Sequence, residues 1–133
     1  NVKTSMIWGT QYDQVMNWLI KSGEKAPLDI NVGSVAWGNY KDVEFEYYTN
    51  TSKTTATKNL GSYKRIASGA YEGANANNIY DLAGNVMLWT KEEFTSIYGQ
   101  DGRNTRGGGN GDDGKNNASN RKPYTTDSNV QRC

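Results

Sequence analysis

An α+β domain is the class this sequence predicts, on three observations. One amphipathic helix comes early, short strand-like runs follow it, and irregular polar sequence fills the rest. The 133 residues suit one domain with an aromatic core, with 4 Trp and 9 Tyr among them, since two domains would each be too small.

The helix is expected from Thr10-Gln11-Tyr12-Asp13. Thr10 can cap free amides, Asp13 suits the positive helix end, and Tyr12, Val15, Met16, Leu19 and Ile20 recur at helical spacing. Gly23 ends it, and the stripe reads as a face packed on a core. From Asp29 to Ser62 the chain is rich in Tyr, Thr, Asn and Ser, which predicts loops with brief strands such as Val43–Tyr48. Asn78–Asn85 then forms a turn, with Gly84 free to take a positive φ, feeding an apolar core strand over Val86–Thr90. Asn50-Thr51-Ser52 and Asn117-Ala118-Ser119 match the glycan acceptor pattern, which is common by chance.

Composition closes off several function classes. A net charge of +1 with no basic run lacks the surface that nucleic-acid binding needs, so nucleic acid is not an expected partner. No apolar run approaches the roughly 20 residues of a membrane span. With Cys133 as the one cysteine and no histidine, the chain offers no internal disulfide, no Cys/His zinc site and no His-activated nucleophile. Glu92, Glu93 and Asp101 remain as acid–base candidates, but carboxylates beside a polar loop read as solvated surface.

The stretch from Asn104 to Arg121, NTRGGGNGDDGKNNASNR, has three readings. Its composition suits disorder, because so few apolar side chains cannot offset an ordering cost of about 1–2 kcal/mol per residue. Gly108–Asp113 fits the opening of a glycine-rich calcium repeat, but Lys115 stands where a large apolar residue should fill the core. No bidentate Glu closes an EF-hand either. The third reading is an ordered loop, favoured by the punctuation of Arg106-Gly107-Gly108 and Ala118-Ser119-Asn120-Arg121.

Asn78–Val86, Trp89-Thr90, Arg106-Gly107-Gly108, Ala118–Arg121 and Arg132-Cys133, in that order, resemble the signature of the formylglycine-generating-enzyme branch of the C-type-lectin fold. Gly9–Trp18 resembles the early helix of its bacterial and phage members. The resemblance implies a C-type-lectin-like α+β fold spanning residues 1–133, with the family's N-terminal strands lying ahead of Asn1 in a longer chain. The oxidase members use a cysteine pair whose matching region, Gly109–Arg121, holds no cysteine here, so no catalytic residue is carried over. Cys133 aligns outside that pair. The family's calcium turn is matched at Asp81, Gly84 and Asn85, but Leu88 takes the place of its Glu, which should weaken such a site severely. Val130-Gln131-Arg132 stands where members carry Gly-Phe-Arg.

Within that branch the chain most resembles the variable proteins of diversity-generating retroelements, in which residues between fixed blocks face a ligand. That likeness implies a non-catalytic ligand-binding region over 104–124, with Asn104, Asn110, Asp112, Asp113, Lys115, Asn116, Asn117, Asn120, Lys122 and Tyr124 displayed. Trp89, Arg106 and Arg121 would pin the scaffold beneath them. The partner so implied is a protein or glycan receptor on another cell, met from a virion or cell surface, with homo-oligomers an open option. A degraded oxidase and a structural decoration domain of a virion or fibre are the rival readings.

Overall fold

The computed structural model describes residues 4–125. The readings attached to Gln131 and Cys133 lie outside the described residues. Helix α1 spans Gly9–Lys21 and α2 spans Pro27–Asn31. The hairpin β1 (Phe45–Tyr48) and β2 (Thr55–Lys58) follows, and then an antiparallel sheet of β3 (Leu88–Thr95), β4 (Asp101–Arg106) and β5 (Arg121–Thr125) in that spatial order. The α+β expectation holds.

Tyr12, Met16 and Leu19 of α1 are buried, with Val15 and Ile20 packed beside them, as the helical spacing requires. Its cap differs from expectation. Trp8, not Thr10, is the flanking residue, and the Gln11 side chain reaches back to accept the Trp8 N–H at 2.9 Å. Asp13 is turned away from the helix end toward two arginines of the sheet. At the other end Gly23 takes φ +76°. There Gly23 N–H bonds Ile20 O at 3.1 Å and Glu24 N–H bonds Leu19 O at 3.0 Å, the paired bonds of a glycine-terminated helix.

Helix α2 falls where loop was expected. Pro27 sits at its first turn, where a missing N–H costs nothing, and Ile30 plugs the core. The core joins α1 and Ile30 to Trp37, Tyr40, Ala76, Leu82, Ala83 and Ala118. Burial pushes the Tyr12 and Tyr40 hydroxyls well above the ordinary tyrosine range. At the end of β2, buried Lys58 donates to Tyr40 O at 2.7 Å and Val43 O at 2.6 Å. Burial lowers its pKa, and Asp42 partly opposes that.

The expected strand over Val86–Thr90 begins later and runs longer, as β3, with a register shift between Trp89 and Glu93. Its apolar reading needs correction. Leu88 is 44% exposed, and Thr90 is the buried residue, its hydroxyl donating to Asn104 O at 2.9 Å. On β5, Pro123 and the charged Arg121 and Lys122 occupy a sheet margin, composition that discourages pairing with another chain.

Candidate ligand-binding face

Alternation along the sheet separates two faces. Cross-strand partners Arg106 and Arg121 point toward α1. The Arg106 side chain is wholly buried, with Nη2 2.6 Å from Asp13 Oδ1 and Nη1 3.4 Å from Glu92 Oε2. It also donates to Asn120 O and Ser119 O, each at 3.2 Å, and its guanidinium lies over the Tyr12 ring. Arg121 pairs with the other oxygens of the same acids, with Asp13 and, at 2.8 Å, with Glu92. Two cations and two anions thus close a neutral quartet that ties α1, β3, β4 and β5 together. The pinning role expected of Arg106 and Arg121 holds. Glu92, weighed as an acid–base candidate, is engaged in it.

The 107–120 segment is held chiefly by backbone bonds, with Ala118 its contribution to the apolar core. Gly107 O accepts from Gly84 N–H at 2.7 Å, Asp112 O from Lys41 N–H at 3.1 Å, Gly114 O from Ser34 N–H at 3.0 Å, and Ile30 O from Ser119 N–H at 3.1 Å. Ala118 N–H adds a bond to Ser34 Oγ at 2.9 Å. Composition favours disorder only where such partners are lacking.

The opposite face carries the outward residues. Trp89, Thr105 and Lys122 are aligned across the three strands, with Thr105 itself buried and Trp89 and Lys122 partly exposed on either side of it. The Tyr124 ring lies 5.6 Å from that of Trp89, tilted by 54°. Its hydroxyl is 3.5 Å from Met87 Sδ, and Lys122 Nζ sits over its ring and 3.9 Å from Asp112 Oδ1. Trp89 therefore belongs to the outward face beside Tyr124, not to the pins beneath it.

The ten residues expected to face a ligand divide accordingly. Asn104 and Asn117 are each only 8% exposed, so their display is corrected: Asn104 lies in central β4, and Asn117 Oδ1 accepts from Ser119 Oγ at 2.9 Å. Burial also removes Asn117 as a glycan acceptor, whereas Asn50 stays exposed in the hairpin turn. Asp112 and Asp113 accept backbone bonds from Gly109 at 2.9 Å and Lys115 at 3.0 Å. Asn116 and Asn120 bond to each other at 3.2 Å. The Asn110 amide, with its nitrogen toward Asn85 O, bridges to Lys64 N–H, both at 3.2 Å. Lys115 is exposed, and Lys122 and Tyr124 are half-buried on the sheet. Met87, expected within a core strand, instead lies just ahead of β3 with its sulfur 3.5 Å from the Thr105 and Tyr124 hydroxyls, a placement no local signal marks.

The turn that matches the family's calcium motif only in part, with Leu88 in the place of its Glu, fits that ion poorly. The Asn85 oxygen already accepts from Asn39 Nδ2 and from Ile66 N–H, each at 3.1 Å, and Leu88 offers no oxygen. Asp81 Oδ2 is a buried oxygen without a partner, one donor where calcium needs six or more. Among the described residues no cluster of three His, Cys, Asp or Glu could hold a metal ion. No helix among them is long and apolar enough to cross a membrane.

Fold and site together define a small α+β domain in which a charged quartet and a turn-rich loop support one outward sheet face. The sulfatase-modifying factor enzyme 1-like domain matches residues 12–132, nearly the whole chain, and the protein belongs to that family. Neither the curated proteins nor the solved structures contain a match.

Proposed function

We propose that this domain is a non-catalytic binding module of the C-type-lectin-like type, related to retroelement variable proteins, that presents the outward face of β3, β4 and β5 to a receptor. The observation that carries this reading is the Trp89–Tyr124 pair, flanked by the Asp112–Lys122 ion pair, on a backbone ordered by its own hydrogen bonds. Aromatic residues bring large contact area at small entropic cost, and a pre-ordered loop loses little more when a partner docks. A receptor on another cell, met from a virion or cell surface, is the setting this reading assigns.

Random displayed peptides and a glycan array serve as probes for the chain. Binders recovered on the native sequence are retested on a Lys122→Glu/Tyr124→Ala variant and on a Met6→Ser/Trp18→Ser control altered at exposed residues of the N-terminal segment and α1. The first should lose about tenfold or more in affinity with its melting temperature unchanged, and the control should not. Binders indifferent to the first variant and lost with the control would overturn the reading.

A further inference from the structure

The 60–66 segment, which lies outside the ligand-binding region expected over 104–124, borders the same face. Tyr63 is 69% exposed, and its ring lies against Gly111: a methyl placed on that glycine would come within 3.2 Å of the Tyr63 ring. Gly111 has no positive φ and no other near neighbour, so the ring, rather than the backbone, makes use of the missing side chain. The backbone around Tyr63 is fixed on both sides. Gly61 N–H donates to Lys41 O at 2.6 Å, Lys64 O accepts from Asn39 Nδ2 at 2.9 Å, and Ile66 bonds the Asn85 amide at 3.1 and 3.0 Å. An exposed ring on a fixed backbone has little left to lose on docking.

Charge around it is unbalanced in availability, not in number. Asp42, Asp112 and Asp113 each accept a backbone N–H of the 109–115 stretch. Lys64, Arg65 and Lys115 are exposed, and none has an ion pair among the described residues. These carboxylates keep their charge but are turned toward the loop's own backbone, whereas the cations reach into solvent.

Resting on the binding reading above, we infer that Tyr63 is a second aromatic anchor of the face, and that the partner is an acidic stretch of protein. Tyr63 and Tyr124 bracket Gly111, Asp112 and Lys122, so a polypeptide crossing the face meets a ring at each end. The cations select carboxylates along it. Exposed Leu60, three residues before Tyr63, adds an apolar contact that a peptide side chain can cover.

The test uses the peptides that bind the native chain and are lost with Tyr124→Ala. These should carry an excess of Asp and Glu and bind more weakly as salt is raised. Tyr63→Ala should weaken them about tenfold with no change in melting temperature, while Tyr63→Phe retains most of the affinity. Lys64→Glu/Lys115→Glu should weaken them further. If Tyr63→Ala changes affinity less than twofold while Tyr124→Ala abolishes it, Tyr63 is no anchor and the binding reading stands. If no peptide that binds the native chain is lost with Tyr124→Ala, the binding reading itself fails. Peptides without acidic bias, or capture confined to the glycan array, would overturn the acidic-protein assignment.

Discussion

Arg106 and Arg121 are cross-strand neighbours that share the same two acids, yet they differ in what their loss should do. Arg106 is fully enclosed, and removing it would strand parts of Asp13 and Glu92 and leave two loop carbonyls without their donor. Arg121 keeps nearly half of its side chain in water, where screening discounts an ion pair to roughly 0.2–1 kcal/mol. Arg106→Met should therefore cost about 3–5 kcal/mol in urea unfolding, and Arg121→Met at most about 1. Equal losses would show that the quartet acts as one unit and that burial does not set its energetics. Of these partners, the arginines were legible as fixed blocks in the sequence. Asp13 was not, because an acid three residues after the expected Thr10 cap serves the helix end just as well; only the approach of the sheet decides.

The loop between β4 and β5 shows how glycines with one composition divide into different jobs. Gly107 holds φ +84°, and a methyl there would lie 2.7 Å from Leu82 O. Gly109 has ordinary φ and no neighbour nearer than 3.7 Å. Gly107→Ala should lower the melting temperature by several degrees, since a left-handed alanine costs about 1–2 kcal/mol before any clash. Gly109→Ala should leave it unchanged or slightly raised, because a compatible alanine restricts the unfolded chain. A scan of both variants that moved the two equally would contradict this division. Helix α1 was readable because five apolar residues repeat at one period. The start of β3 and the burial of Asn104 and Asn117 were not, because a polar residue's exposure depends on which strand lies beside it, and that register is set by residues far apart in sequence. For the same reason the loop's polar composition gave no sign of its order: its bonds run to Ser34, Lys41 and Gly84.

Among the described residues, two aromatic surfaces stand out as rivals for a partner. One is the outward sheet face with Trp89, Tyr124 and, beyond Gly111, Tyr63. The other is the N-terminal side, where Met6, Trp8 and Trp18 are exposed. The aromatic and cationic side chains of the first sit on backbone that the loop bonds hold in place, and the proposed binding reading places its ligand contacts there. Amide hydrogen exchange on the chain with and without a selected acidic peptide separates the two most directly. The account predicts slowed exchange in 101–106, 109–112 and 121–125, extending to 61–66, with α1 unchanged. Protection concentrated on residues 6–18, with the sheet face unaffected, would contradict it.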